Sequence, residues 1–401
     1  MRILLITEAL VLGGAETFVL RLARRLRQDG HDAQLLCLNP DLDDPRLVGM
    51  FDDVPIHRVP YLGLRTLKRL DRVSKWLGLD LELQQRRTAR WVERRLIGRF
   101  DVHHTNLFGA DWLFTRLKRR CPAMKIVSTL HGDYALHEER AKGTERTQIN
   151  NWRAKLGETL GAVDRWVTIS PAQHRQFADL FGVDPARLFD IPNGYAPPAA
   201  VEAATRHAGA ETCFVMVARG IREKGWGFLV DAFLHLDGER SLLLVGEGGY
   251  LDQLSATHKG NPRIRFAGSD PNPIELIAAA DVFVHPSIYP AESMPTVIVE
   301  ALFAGLPVIA TDIGSVSRMI ATSSGDLAGT LVTPNETTLA DDLAAAMQSY
   351  IDDPALRRRH AALAPAAFAK FDMGACAAAY ARLYAEALKP DAINSSTNAS
   401  H

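Results

Sequence analysis

Along the 401 residues, short apolar runs alternate with stretches whose apolar residues recur every three or four positions. The candidate strands include "RILLIT", "AQLLCLN", "DVHHTN", "KIVSTL" and "RWVTIS" in the first half of the chain. After residue 210 come "CFVMVAR", "SLLLVG", "IRFAG", "VFVHPS", "PVIAT" and "GTLVTP". Near-continuous apolar runs of this length predict strands buried on both faces. Helical spacing falls between them, as at Ala15–Gln28, Asp111–Arg120, Gly227–His235 and Pro295–Ala304. In the first of these, Phe18, Leu22 and Leu26 share one face. Strand–helix alternation predicts an α/β protein with doubly wound parallel sheets.

The alternation stops once, at "PNGYAPPAAVEAATRHAGAE", which is rich in Pro, Ala and Gly and lacks apolar periodicity. It reads as a linker, giving two Rossmann-like domains at 1–195 and 196–388. A final helix at about 374–388 is expected to cross back onto the N-terminal domain, and the polar end 389–401 reads as a disordered tail. Two such sheets leave a cleft at the carboxyl ends of their strands, where ligands bind in these folds.

Composition adds an asymmetry. Residues 1–195 hold 31 Lys and Arg against 24 Asp and Glu, whereas residues 196–401 hold 15 against 23. A basic half suggests an anionic partner, with plain surface solubility as the alternative. The four cysteines have no CxxC spacing, which argues against a metal cage or disulfide framework. The N-terminus "MRILLITEALVLGGAE" is interrupted by Glu8 and reads as a first strand, not a signal peptide. No run reaches the roughly 20 apolar residues of a spanning helix. The expected location is the cytoplasm, with possible peripheral attachment to the inner face of a membrane.

The strand ends carry the candidate chemistry. Gly13-Gly14 precede a helix, where backbone N–H groups can approach a phosphate, although a plain strand-to-helix turn fits equally. His131 follows "KIVSTL" and could donate a hydrogen bond to a ligand hydroxyl or oxyanion, or simply be a packed histidine. Arg219 and Lys224 stand at another strand-to-helix junction and suit a diphosphate, with a charged surface loop as the alternative. Gly246, Gly248 and Gly249 resemble the dinucleotide fingerprint, but Leu251 stands where its third glycine belongs.

One stretch is more demanding. "PSIYPAESMPTVIVEALFAGLPVIA" places Glu300 within an almost wholly apolar helix, with Glu292 eight residues earlier in the preceding loop. Ser293 can cap this helix, Pro295 suits its first turn and Gly305 its end. A carboxylate on a buried helix needs a partner. Vicinal hydroxyls of a ribose would serve Glu300, and a second hydroxylated group would serve Glu292. The alternatives are an arginine partner for Glu300 and a surface position for Glu292.

Taken together, these segments resemble the retaining glycosyltransferases of family 4, which have two facing Rossmann-like domains in the GT-B arrangement. The matching pieces are "GGAE" at Gly13–Glu16, "HG" at His131–Gly132, "NG" at Asn193–Gly194, "ARGIREKG" at Ala218–Gly225 and "VGEG" at Val245–Gly248. "ADVFVHPS", Glu292-x7-Glu300 and "GLPVIAT" complete the series. The resemblance implies that Arg219 and Lys224 hold the diphosphate of a nucleotide-sugar and Glu300 its ribose. It implies that Glu292 and His131 address the donor sugar, with Gly13, Gly14, Gly248, Ser293 and Met294 lining the donor site. Glu16 and the N-terminal domain would face a glycan or lipid-linked acceptor. No metal and no cofactor are implied, because the two cations replace the metal. Asp41-Leu42-Asp43 has DxD form but lies in an acidic loop.

The chain departs from the family pattern twice. Pro295 stands where family members usually have glycine, and Ser315 and Ser317-Arg318 replace a second glycine and a Pro-Glu pair. On the acceptor side, residues 65–99 hold 11 basic and 4 acidic residues with Trp76 and Trp91. They read as basic amphipathic helices suited to an anionic membrane, or as solvated helical faces. No nucleic-acid module is recognisable, so nucleic acid is not an expected partner. The expected function is sugar transfer in polysaccharide, lipopolysaccharide or glycolipid synthesis. A nucleotide-sugar epimerase and a non-catalytic nucleotide-sugar-binding protein are the alternatives.

Overall fold

The run Arg2–Thr7 forms β1, buried from Ile3 onward because strands pair with it on both edges and helices cover both faces. This is a computed structural model describing residues 1–60, 64–77, 79, 81–131, 146–197, 211–290 and 292–389. The chain divides into two units, Met1–Pro192 with the chain from Met373 onward, and Asn193–Asp372. Gly132, most of the linker segment and residues 390–401 lie outside the described residues.

In the first unit β1 is joined by β2 (Asp32–Cys37), β3 (Ile56–Arg58), β4 (Val102–Asn106), β5 (Lys125–Leu130), β6 (Arg165–Thr168) and β7 (Leu188–Asp190). All pairings are parallel and the order is β3-β2-β1-β4-β5-β6-β7. The second unit holds β8 (Thr212–Val217), β9 (Arg240–Val245), β10 (Ile264–Gly268), β11 (Val282–His285), β12 (Val308–Thr311) and β13 (Gly329–Val332). Its order is β10-β9-β8-β11-β12-β13. Both sheets therefore reverse direction at a switch point, between β1 and β4 and between β8 and β11, where doubly wound folds bind ligands.

The eleven candidate segments all became strands. The two unexpected strands, β3 and β7, have three residues each and lie at the sheet's outer edges. Neither is long enough to display an apolar run. Each unit has its own core, around Trp166, Phe114 and Phe177 in the first and Trp226, Phe214 and Tyr350 in the second.

The closing helix Met373–Leu388 belongs to the first unit and packs against the opening helix Gly14–Gln28 and β5. A buried polar chain fastens it. Tyr384 Oη lies 2.7 Å from His104 Nδ1, His104 Nε2 2.7 Å from Thr129 Oγ1, and Thr129 Oγ1 2.8 Å from Tyr380 Oη. Burial pushes the His104 imidazole down to about 3, so the ring is neutral and can donate through one nitrogen and accept through the other. In the second unit the entering and leaving strands of chain meet. Tyr195 N donates to Phe371 O at 2.7 Å, and the Tyr195 ring packs on Phe303 at 5.2 Å between centroids.

The basic segment forms helices Leu64–Trp76 and Leu83–Arg95. Of its acids, Asp71, Glu82 and Glu93 are engaged within the fold, and Asp80 lies outside the described residues. Asp71 accepts from Leu83 N (2.7 Å) and Gln84 N (3.0 Å), capping the second helix. Glu82 accepts from Trp112 Nε1 and pairs with Arg116 and Lys155. Asp43 of the DxD-like loop is likewise a structural acceptor, from Leu10 N at 3.0 Å and Arg58 Nε at 3.3 Å.

Candidate active site

In the second unit the chain leaves β8 at Arg219, makes the short turn Arg222–Lys224 and enters the helix Trp226–Leu234 through Gly225. Gly225 has φ 83°, and a side chain there would collide with the carbonyl of Pro286. The turn is therefore pressed against the loop that follows β11. Ile288 N donates to Glu223 O at 2.9 Å and seals the contact.

This packing brings the two predicted cations to one aromatic ring. Arg219 is exposed, with its guanidinium carbon 6.0 Å from the centroid of Tyr289. Lys224 is buried, with Nζ 5.1 Å from the same centroid. Lys224 Nζ also lies 2.5 Å from Glu292 Oε2. That oxygen further accepts from Ser287 Oγ at 2.7 Å, and His285 Nε2 stands 3.5 Å away. Glu292 is thus drawn into the strand-end loops with its side chain only 9% exposed, and is not a surface charge. Burial alone would raise the pKa of its carboxyl. The contacts from His285 and Lys224 outweigh burial and hold it well below the usual carboxylate range. Glu292 is therefore a fixed anion and acceptor, poorly suited to act as a general acid.

Lys224 has three N–H donors, and among the described residues Glu292 is its carboxylate partner. Two donors remain for a ligand. Beyond Glu292, Ser293 and the buried Met294 lead into the helix Thr296–Phe303. Ser293 does not cap it. Pro295 occupies the N-cap with no side-chain hydrogen bond, and the Ser293 carbonyl instead accepts from Ser315 N at 3.0 Å. The loop carrying the family departures is thereby docked on the site: Gly314, at φ 59°, approaches the Glu292 carbonyl too closely for any side chain. Glu300 is 6% exposed on the buried face of the helix with Ile298, Val299 and Leu302. Gly248 precedes the helix Gly249–His258 beside Gly220, at the end of β9.

In the first unit Gly13 is the N-cap of the helix Gly14–Gln28 and has no side-chain cap. The Glu16 carboxylate folds over Gly13. His131 follows β5, its ring 5.4 Å from the Phe18 ring of that same helix, and its Nε2 lies 3.0 Å from Asn106 Oδ1 at the end of β4. The helix that "GGAE" opens therefore meets His131 at the carboxyl ends of the central strands of the first sheet. Asn106, His285, Ser287 and Tyr289 were not singled out from the sequence. The available signal was a polar residue closing a buried strand, after apolar residues in "VFVH" and after other polar ones in "VHHTN".

The sheet orders and the charged strand-end loops define a GT-B fold built from two Rossmann-like units. A model described as "Glycosyltransferase Family 4" matches residues 12–197, and one described as "Glycosyl transferases group 1" matches residues 201–365. The chain belongs to glycosyltransferase family 4 and is a glycosyltransferase. It is 26% identical to a phosphatidyl-myo-inositol mannosyltransferase of Mycobacterium leprae (strain TN), over 93% of this chain and 92% of the relative. It is 26% identical to a glycogen synthase of Mycobacterium tuberculosis (strain H37Rv), over 96% and 94%. The crystal structure of Anabaena Alr3699/HepE in complex with UDP and glucose superposes with a TM-score of 0.71. The identity is 19%, and 96% of this chain and 100% of that chain are covered.

Proposed function

We propose that this glycosyltransferase moves a hexosyl group, with retention, from a nucleotide-sugar to a hydroxyl of a glycan or lipid-linked acceptor in polysaccharide or glycolipid synthesis. The observation that carries the reading is the cluster of Arg219, Lys224 and Glu292 around Tyr289, at the switch point of the second sheet. Two cations beside a strand-to-helix turn suit a diphosphate, and they become more valuable as negative charge develops on it during transfer. Glu292, permanently ionised, would accept from a sugar hydroxyl. Glu300 would accept from the ribose hydroxyls. The names of the relatives support this reading: one bears a phosphatidyl-inositol acceptor, and the Anabaena structure holds UDP and glucose.

In this mechanism the bond from the sugar C1 to the diphosphate oxygen breaks with Arg219 and Lys224 stabilising the leaving group. The acceptor oxygen bonds to C1 on the same face, and its proton passes to the departing diphosphate oxygen. The two cations take the place of a metal ion, and no cofactor enters the scheme.

The basic segment supports an acceptor at a membrane. Leu70, Val73, Trp76 and Leu77 are exposed, Trp76 by 85%, beside the exposed Arg69 and Arg72. Apolar side chains flanked by cations, with Asp71 and Glu82 committed to internal contacts, suit an anionic bilayer surface. No helix among the described residues is long and apolar enough to cross a membrane, so the contact would be peripheral, at a cytoplasmic face.

The test is calorimetry of the protein against UDP-, GDP- and ADP-sugars, followed by incubation of the best donor with membrane lipid extract and NMR assignment of the product anomer. An inverted anomer refutes retention, and consumption of donor alone with formation of an epimer refutes transfer.

A further inference from the structure

A buried amide at the carboxyl end of a central strand of the first sheet dictates which nitrogen of His131 carries its proton. Asn106, the last residue of β4, is 1% exposed. Its Nδ2 donates to Ile6 O at 3.2 Å and to His104 O at 3.3 Å. Carbonyl oxygens only accept, so the orientation of the amide is forced and Oδ1 must face His131. An amide oxygen also only accepts, so His131 Nε2, 3.0 Å away, must donate. Burial pushes the His131 imidazole down to about 4. A neutral ring holds one N–H, and Asn106 takes it. Nδ1 is left as a bare lone pair with no hydrogen-bond partner among the described residues.

The surroundings keep the ring in this state. Phe18 packs on it from the opening helix, and Tyr380 of the closing helix packs on Phe18 at 6.2 Å. His104, beside Asn106 on β4, is held neutral by burial, and the Tyr380 phenol is raised well above its ordinary value by burial. Glu16 is folded over Gly13. Asn106 is also followed by Leu107 at φ 91° and ψ 146°, a conformation that leucine rarely adopts. Such strain collects at functional sites.

We propose that Asn106 is a positioning residue that fixes His131 as its Nε2–H tautomer, so that Nδ1 accepts a hydrogen bond from a sugar hydroxyl and disfavours a phosphate oxygen. This rests on the donor-site reading of His131 given above and deepens it. It reverses the polarity that the sequence suggests, because the ring's one proton is committed inside the fold. His131 then selects for a hydroxylated group over an anionic one. The preference follows from chemistry: an unprotonated nitrogen attracts an O–H and repels an anionic oxygen.

The tautomer can be read without substrate. The full chain, labelled with 15N-histidine, contains 13 histidines, and His131 is assigned by comparison with His131→Gln. Long-range 15N–1H correlation spectra should show a protonated Nε2 and a bare Nδ1, unchanged from pH 8 to pH 5. In Asn106→Leu the tautomers should mix. In Asn106→Asp the new carboxylate should raise the midpoint of His131 by a unit or more. A wild-type ring protonated at Nδ1, or titrating near the ordinary histidine value of about 6.5, overturns the proposal without need of either variant. Conversion of His131 to the imidazolium pattern on adding UDP also overturns it, because the ring would then be gripping phosphate. Failure of the donor-site reading looks different: the tautomer stands, but His131→Gln transfers sugar with wild-type kcat/KM.

Discussion

Lys224 Nζ and Glu292 Oε2 lie 2.5 Å apart, with side chains 10% and 9% exposed, although 68 positions separate them in the chain. The pair joins the turn after β8 to the loop after β11 and closes the second sheet's switch point from within. Breaking a buried pair by removing one partner costs about 3–5 kcal/mol, whereas replacing both with apolar residues is often nearly neutral. Glu292→Leu should therefore lower the urea midpoint substantially, and Lys224→Met/Glu292→Leu should recover most of the loss. The pH dependence has a definite sign. The folded carboxyl titrates below its unfolded value, so its contribution is complete above the unfolded pKa of about 4.3 and declines as pH falls further. The stability gap between wild type and Glu292→Leu should stay constant from pH 8 to pH 5 and narrow below about pH 4.

Arg219 and Glu300 should fail in different ways. Arg219 is exposed, so Arg219→Ala should change stability by less than about 0.5 kcal/mol. Losing one donor to developing negative charge should lower kcat by about 10²–10³. Glu300 meets the nucleoside in our reading, so Glu300→Gln should weaken free nucleotide binding by about tenfold or more, the worth of a hydrogen bond to a charged group. Kinetics and calorimetry on the two variants check this. Unchanged kcat in Arg219→Ala would remove the assignment of the leaving group.

The exposed indole of Trp76 offers a separable test. Trp76→Ser should reduce binding to phosphatidylglycerol vesicles about tenfold or more, from lost apolar burial. Binding by the wild type should weaken with added salt and be lost on vesicles of phosphatidylcholine alone. Equal binding by Trp76→Ser and wild type would exclude this helix as the contact.

Acid should destabilise the first unit early. Burial holds His103 down to about 4 and His104 to about 3. Their neutral forms are retained in the fold while the unfolded chain protonates near pH 6.5, so stability is complete above that pH and falls below it. Each group should contribute a slope of about 1.4 kcal/mol per pH unit between pH 6 and pH 4. Equilibrium unfolding across this range measures it. His103→Phe should reduce the slope by about one proton.

Much of the fold was legible because parallel strands buried on both faces are mostly apolar, with the buried but polar β4 as the exception. "RILLIT", "KIVSTL" and "IRFAG" match β1, β5 and β10 end to end. The exposed edge strands β3 and β7 need no such run and left no trace. Within the site, Glu300 was legible for the same reason in reverse, as a charge inside an apolar helix. Ser293 misled because a serine before a helix has the composition of a cap, whereas its carbonyl is engaged by Ser315 and Pro295 occupies the cap.

The sequence by itself determined the strand–helix alternation, the residue types at each strand end and the family. Those depend on local period and on short motifs, which survive in one dimension. Only the tertiary structure decided that Lys224 faces Glu292, that Tyr289 gathers both cations at one ring, and that Asn106 commits the proton of His131. Each of these joins strands distant in sequence, and hydrogen-bond polarity depends on a partner's position, which composition does not encode.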